Sequence, residues 1–220
     1  MPAQRKRPGV RTPGRPRSAT SRDAILKAAY QILNEAGFAG FTVEGVAARA
    51  GAGKATIYRW WKTKGTLAIE AFLVALTPRL ERRHETGSAI VDLRAQVHQA
   101  AAIYRGRAGQ LLRELIALGQ EDSATSRRLR ADFVEPRRLY AIRLLERAVA
   151  GGELPADTDL AVLADALWGP ILHRLLVSHA PIDRGFIDKL LDLVLGGALR
   201  GTAAAAQGLA YSSAKDGSQS

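Results

Sequence analysis

Residues 41–67 read FTVEGVAARAGAGKATIYRWWKTKGTL, and the punctuation of this stretch decides the fold. Thr42 precedes Val43, Val46, Ala47 and Ala50, an apolar series at helical spacing, so its hydroxyl caps a short helix. Gly51-Ala52-Gly53 ends that helix, because glycine reaches the left-handed conformation of a tight turn and weakens any helix it enters. A further short helix from Lys54 turns Ile57 and Trp61 inward and leaves Thr56, Arg59 and Trp60 on other faces. Thr63 then caps a longer helix with Leu67, Ala71, Phe72 and Ala75 on its apolar side. Upstream, a Thr20/Ser21 cap and Asp23 in the first turn open a helix from Ser21 whose Ile25, Leu26, Ala29, Ile32, Leu33 and Ala36 share one face; Gly37 stops it. Short helices joined by a glycine turn, with small residues Ala52, Gly53 and Ala55 where a helix end must approach another surface, describe a helix-turn-helix.

The charge distribution suggests what such a unit would approach. The chain has 220 residues and a net charge of +11, but residues 1–65 hold 13 Lys/Arg against 3 Asp/Glu, net +10, while residues 66–220 hold 19 against 18, net +1. A concentrated positive field attracts polyanions, since neutralising phosphates releases condensed counterions and steers encounter. Double-stranded DNA is the expected partner. A membrane surface is not: a surface helix needs an uninterrupted amphipathic run, whereas Pro2, Pro8, Pro13 and Pro16 break up residues 1–20.

With the helices and charge in place, residues 41–67 resemble the DNA-binding signature of TetR-family transcriptional regulators. The resemblance is carried by Thr42-Val43, Val46-Ala47, Ala50-Gly51, Thr56-Ile57-Tyr58, Trp60-Trp61, Lys64 and Leu67. It departs at Gly53, where members often have Ser or Thr, and at Gly65, where an acid is common. The resemblance implies that Thr42 bonds a phosphate and that Lys54, Ala55, Thr56 and Arg59 face the major groove. It further implies that Tyr58 and Trp60 touch phosphate, sugar or a thymine methyl, and that Lys64 grips a phosphate. Arg59 is the foremost candidate for base readout, because a guanidinium forks guanine O6 and N7 with two bonds. Trp61 belongs to the core. Pro13-Gly14-Arg15-Pro16-Arg17 resembles the core of an AT-hook, whose arginines, here Arg15 and Arg17, sense the potential of a narrow A·T minor groove. A tail that binds phosphates without sequence preference is the alternative.

The expected architecture is all-α. A disordered basic arm (1–20) precedes the helix-turn-helix domain (21–67), a helical effector-binding and dimerisation domain (68–200) and a flexible Ala/Gly/Ser-rich tail (201–220). Beyond residue 68 the apolar spacing predicts helices over 90–106, 108–121 and 124–150, the last bent or interrupted by Pro136 and stopped by Gly151-Gly152. A strongly apolar helix follows from Leu160 to His179, capped by Asp157 or Asp159, and another from Asp183 through Leu195. These last two are apolar around more of their circumference than one-sided packing needs. The resemblance implies that they pair with their mates in a homodimer, and a two-fold pair of reading helices implies a roughly palindromic operator. It also implies a small-molecule effector among the middle helices. His98, Tyr104, Phe133, Tyr140, Trp168 and His173 are candidate lining residues because each sets an aromatic or imidazole group among aliphatics, which favours an apolar or aromatic molecule.

Other classes lack their signatures. With no cysteine there is no disulfide, thiolate zinc site or cysteine nucleophile, and a cytoplasmic setting is expected. Gly-Ala-Gly-Lys at 51–54 fails as a phosphate loop, since Ala48 replaces its first glycine and Ala55 its hydroxyl residue. His84, His98, His173 and His179 fit no metal motif, His173 and His179 being wrongly spaced to stack along a helix. No metal or cofactor is expected and no enzyme activity; a nonspecific nucleic-acid binder and a helical small-molecule enzyme or carrier stand as the rival readings.

Overall fold

The computed structural model describes residues 17–80, 84–121 and 123–198, all of them helix or short connections. Helix α1 (Arg17–Ala36) starts four residues before the expected Ser21, since the chain beyond Pro16 contains nothing that opposes a helix until Gly37. Arg17 therefore sits in helical backbone, not in an extended groove-binding arm; Arg15 and the rest of the arm, like the tail at 201–220, lie outside the described residues.

Helices α2 (Val43–Ala50) and α3 (Lys54–Trp60) follow as their sequence signals require. The Thr42 hydroxyl accepts the Gly45 N–H at 3.1 Å. Gly51 adopts φ 62°, and its N–H turns back to the carbonyls of Ala47 and Ala48, so the turn before α3 needs a residue without a Cβ. Ile25, Leu26, Ala29 and Leu33 of α1, Phe41, Val46 of α2, and Ile57 and Trp61 around α3 close into one apolar cluster.

Helix α4 (Lys64–Leu80) carries the chain out of this unit and is buried along most of its length, packing on α1, α5, α6 and α7. Thr63 caps it as expected, its hydroxyl accepting the Thr66 N–H at 3.1 Å. Pro78 lies inside its last turn. Helices α5 (Ala89–Tyr104) and α6 (Arg107–Glu121) match two expected segments closely. The expected 124–150 helix is three pieces: α7 (Ser123–Leu129), a widened π turn (Arg130–Val134) and α8 (Glu135–Ala150). Pro136 stands in the first turn of α8, where its missing N–H costs nothing, and the interruption falls just before it. Helix α9 (Leu160–Val177) is capped by Asp159, which accepts from Ala161 and Val162 N–H at 3.1 and 3.0 Å, and α10 covers 184–198.

The second half is tied down at the start of α5. The Glu153 carboxylate, from the turn after α8, accepts the Ala89 N–H at 2.8 Å and the Ser88 hydroxyl, and Asp92 accepts the Thr86 N–H at 2.9 Å. Both acids are held below the ordinary carboxylate range, Glu153 chiefly by the Ser88 hydroxyl and Asp92 chiefly by the Thr86 N–H. A depressed folded-state pKa adds stability above the unfolded value, about 4 for either acid, that is lost as pH falls through the folded value. We predict that Glu153→Ala costs about 1–2 kcal/mol at pH 7 in a denaturant titration. The gap to the parent should close as the titration is repeated toward pH 3.

Candidate nucleic-acid interface

Helix α3 has two sides with opposite character. Ile57 is 1% exposed and Trp61, which follows the helix, 2% exposed, so the inner side is sealed into the α1–α4 core. Lys54, Ala55 and Arg59 are exposed on the outer side with Tyr58 and Trp60, which are 45% and 43% exposed. Thr56 is half-buried at the margin, its backbone N–H bonded to the Gly53 carbonyl at 2.9 Å. Two bulky aromatics left in water beside a protruding cationic turn form a surface able to press against sugar and base edges, with Arg59 among them as the forked donor.

The cations around this face are held in readiness. Lys54 Nζ pairs with Glu44 Oε1 at 2.7 Å; the shared hydrogen bond raises the ammonium pKa and lowers that of the carboxylate. Lys64, exposed at the start of α4, lies over the Phe38 ring at 4.5 Å, which fixes its stem without consuming its charge. Arg22 of α1 lies 5.9 Å from the centre of the Trp60 ring. Gly65, the unusual residue beside Lys64, is buried. Thr42 is exposed at the start of α2, its oxygen already engaged by Gly45 and its proton free for an acceptor.

What positions the face was not legible in the motif. Glu70, the lone acid of α4, is 6% exposed. It accepts the Trp61 indole N–H at 2.9 Å, pairs with Arg22 of α1, and pairs with Arg128 of α7 at 2.5 Å. A second tie runs from α6: Arg107 donates to the carbonyls of Leu33 and Asn34 at 3.0 and 2.9 Å, satisfying the end of α1, while Glu114 accepts the Phe38 N–H at 2.6 Å. Gly37 stands between them at φ 68°, and a Cβ there would lie 3.1 Å from the Glu114 carboxylate. The signal that could have found Glu70 is an acid in the middle of LAIEAFLVAL, since a charge in an apolar helix needs a partner.

Comparison with known proteins agrees with this geometry. The family described as "Bacterial regulatory proteins, tetR family" matches residues 25–71, and "Tetracyclin repressor-like, C-terminal domain" matches residues 83–194. The HTH-type transcriptional regulator YdeS of Bacillus subtilis is 38% identical over 178 residues, covering 81% of this chain and 89% of its own. The chain belongs to the TetR family. The DNA-binding transcriptional repressor TetR of Mycobacteroides abscessus is 32% identical, covering 81% of this chain and 94% of its own. The crystal structure of the TetR family transcription regulator SCO0332 superposes with a TM-score of 0.72 at 34% identity, over 80% of this chain and 97% of that one. As a TetR-family member the chain is a helix-turn-helix transcriptional regulator, and α1–α3 with the start of α4 form its DNA-binding unit.

The six candidate effector residues do not converge on one place. Tyr104, Phe133 and Trp168 line a cavity of about 280 Å³ between α5, α6, the π turn, α8 and α9, with Ile116, Leu129 and Leu172. The Trp168 indole N–H is buried there with no hydrogen-bond partner, and burial pushes the Tyr104 phenol up to about 12. Arg138 and Asp165 at the rim neutralise each other, bonded at 2.9 Å. Tyr140 lines a separate cleft of about 800 Å³ against Leu73, Thr77 and Gln96. Neither histidine lines these two cavities. His98 points between α5 and α10, where its Nε2 lies 2.7 Å from Asp188. His173 is exposed on α9, its ring centre 4.8 Å from that of His179: the chain leaves the helix at left-handed Ser178 and folds back, a contact that helical spacing alone excluded. Among the described residues no three acid or imidazole groups are placed to hold a metal ion.

Because Glu44 competes with phosphate for Lys54, Glu44→Gln should tighten binding to a random-sequence duplex about two- to fivefold in a fluorescence anisotropy titration at low salt. Unchanged affinity would show that Lys54 stays off the backbone.

Proposed function

We propose that this TetR-family regulator acts as a homodimeric repressor that reads a palindromic operator with α3 and releases it when a small apolar or aromatic effector enters the cavity behind the π turn. The observation that carries the reading is the outward face of α3, fastened by buried polar ties to the helices that wall that cavity. Thr42, Lys54 and Lys64 would hold phosphates, Tyr58 and Trp60 the sugar and thymine methyls, and Ala55, Thr56 and Arg59 the base edges.

Dimerisation has its own support. Val162, Val177 and Leu193 are 64%, 58% and 70% exposed on α9 and α10, although these helices also pack their other faces into the core. Leaving that much aliphatic surface in water is unfavourable, and a two-fold mate presenting the same surface would cover it. A single helix as short as α3 reaches few base pairs; two of them about 34 Å apart would reach successive major grooves and multiply the discrimination. The cytoplasmic setting expected from the absent cysteines accords with a repressor's work.

The cavity favours an uncharged ligand, since of its three charged lining residues Arg138 and Asp165 pair with each other and Arg137 is engaged by the Phe133 carbonyl and ring, and one with a hydrogen-bond acceptor for the Trp168 N–H. Such a ligand would shift the population toward a dimer whose reading helices no longer match the groove spacing.

Selection of duplexes from a randomised pool by the full chain tests the reading and should return an inverted repeat. On that duplex Arg59→Ala should lose about 1–3 kcal/mol, and the loss should disappear when the guanine it reads is replaced; a uniform loss on every sequence would favour a nonspecific binder. Leu193→Glu should yield monomers by sedimentation and lose most operator affinity. Deleting residues 1–16, which leaves α1 whole, should flatten the slope of log affinity against log salt if the arm meets phosphate or the minor groove.

A further inference from the structure

The Glu70 cluster joins the reading helix to the cavity wall at a single carboxylate. Trp61 is the C-terminal cap of α3, its backbone N–H bonded to the Ile57 carbonyl at 2.9 Å, and its indole is held by Glu70. On the same carboxylate oxygen sits Arg128, which comes from the penultimate residue of α7. The chain then enters the π turn, whose residues divide between the two cavities: Phe133 and Val134, with Leu129 at the end of α7, line the smaller one, while Ala131 and Asp132 line the larger. Phe133 also packs against Phe72 of α4, ring centres 6.1 Å apart and two residues from Glu70. A π turn accommodates an extra residue per turn and can relax to α-helical winding, which rotates everything on one side of it relative to the other.

We propose that Glu70 and Arg128 form the joint that relays occupancy of the cavity to the reading helix. The inference rests on the regulatory reading above and adds to it the residues that transmit the signal. When a ligand displaces Phe133, the π turn and the end of α7 move, and Arg128 withdraws from Glu70. The carboxylate keeps Arg22, so it stays charged and paired, but it re-centres toward α1 and releases its grip on the Trp61 indole. The end of α3 then loosens. Two charged groups stay satisfied in each state, which makes both states accessible.

The joint is testable on the DNA-free full chain by hydrogen exchange of the α3 amides, residues 54–61, with an engineered occupant standing in for the ligand. Leu172→Trp places an indole in the smaller cavity from α9, remote from Glu70. It should accelerate α3 exchange at least about fivefold, the lower end of ordinary coupling between sites. Arg128→Gln should accelerate α3 exchange on its own, and adding Leu172→Trp should then change it less than about twofold. Arg128→Lys should restore part of the coupling. Asp132→Asn, which removes the other partner of Arg128 at 2.9 Å, should leave α3 unchanged. Exchange in α5 and α8 should match the parent in all Arg128 variants, which separates a relay from general loosening. Equal α3 exchange in parent and Arg128→Gln, or an undiminished effect of Leu172→Trp in the Arg128→Gln background, would overturn the proposal. Failure to select an inverted repeat would instead overturn the operator reading and leave the exchange result standing.

Discussion

A carboxylate buried among apolar helices has to be satisfied, and the way Glu70 is satisfied organises this molecule. Its donors come from three directions: Trp61 at the end of the reading helix, Arg22 on the first helix and Arg128 at the edge of the second domain. Each of these elements would pack against α4 on apolar grounds alone, but apolar packing is non-directional and tolerates sliding. The ionic cluster removes that freedom. Removing the acid would leave the buried Trp61 indole N–H without its acceptor and take a carboxylate from Arg22, while Arg128 would keep Asp132, a loss of about 1–3 kcal/mol.

The reading helix shows why such directional anchoring is needed. Helix α3 has only seven residues, of which Ile57 is the buried one, so the helix cannot hold its own orientation by packing. It borrows rigidity from both ends. At its start the left-handed Gly51 turn fixes the approach from α2; at its end Trp61 is driven into the core and then pinned by Glu70. Its other face can therefore carry exposed Tyr58 and Trp60, residues a free-standing helix would tend to bury.

The helix-turn-helix was legible almost residue by residue because its determinants are local. Caps at Thr42 and Thr63, the glycine turn and the inward positions of Ile57 and Trp61 all lie within a few residues of what they control. The interruption at Pro136 was legible for the same reason, since a proline lacks the N–H that the preceding turn would use. The first helix ran past its expected start because a Ser/Thr pair can cap a helix but is equally tolerated inside its first turns, and nothing downstream of Pro16 forced a choice. The cavity was only half legible. Aromatic residues among aliphatics identify Tyr104, Phe133 and Trp168, but the same pattern fits His98 and His173, whose neighbours are 90 and six residues away. Long-range partners such as Arg22, Arg107, Glu114 and Arg128 leave no periodic trace, since a charged residue on a helix looks the same whether it meets water or another helix.

These long-range ties divide into two kinds. The α6 tie satisfies main-chain groups: Arg107 donates to the Asn34 carbonyl and Glu114 accepts the Phe38 N–H, while the Leu33 carbonyl takes Arg107 as a second donor beside the Gly37 N–H, so breaking the tie exposes main-chain groups at the end of α1. The α7 tie links side chains, and Glu70 retains a cation if Arg128 leaves, while Arg128 retains Asp132 at 2.9 Å. A domain connected by one stiff joint and one exchangeable joint can pivot about the first when the second changes partners. The stiff joint lies at the end of α1 and the exchangeable one at the end of α3, so such a pivot would move α3 most and the end of α1 least. Apolar burial alone would not produce that asymmetry; it follows from which of the two joints has a second partner waiting.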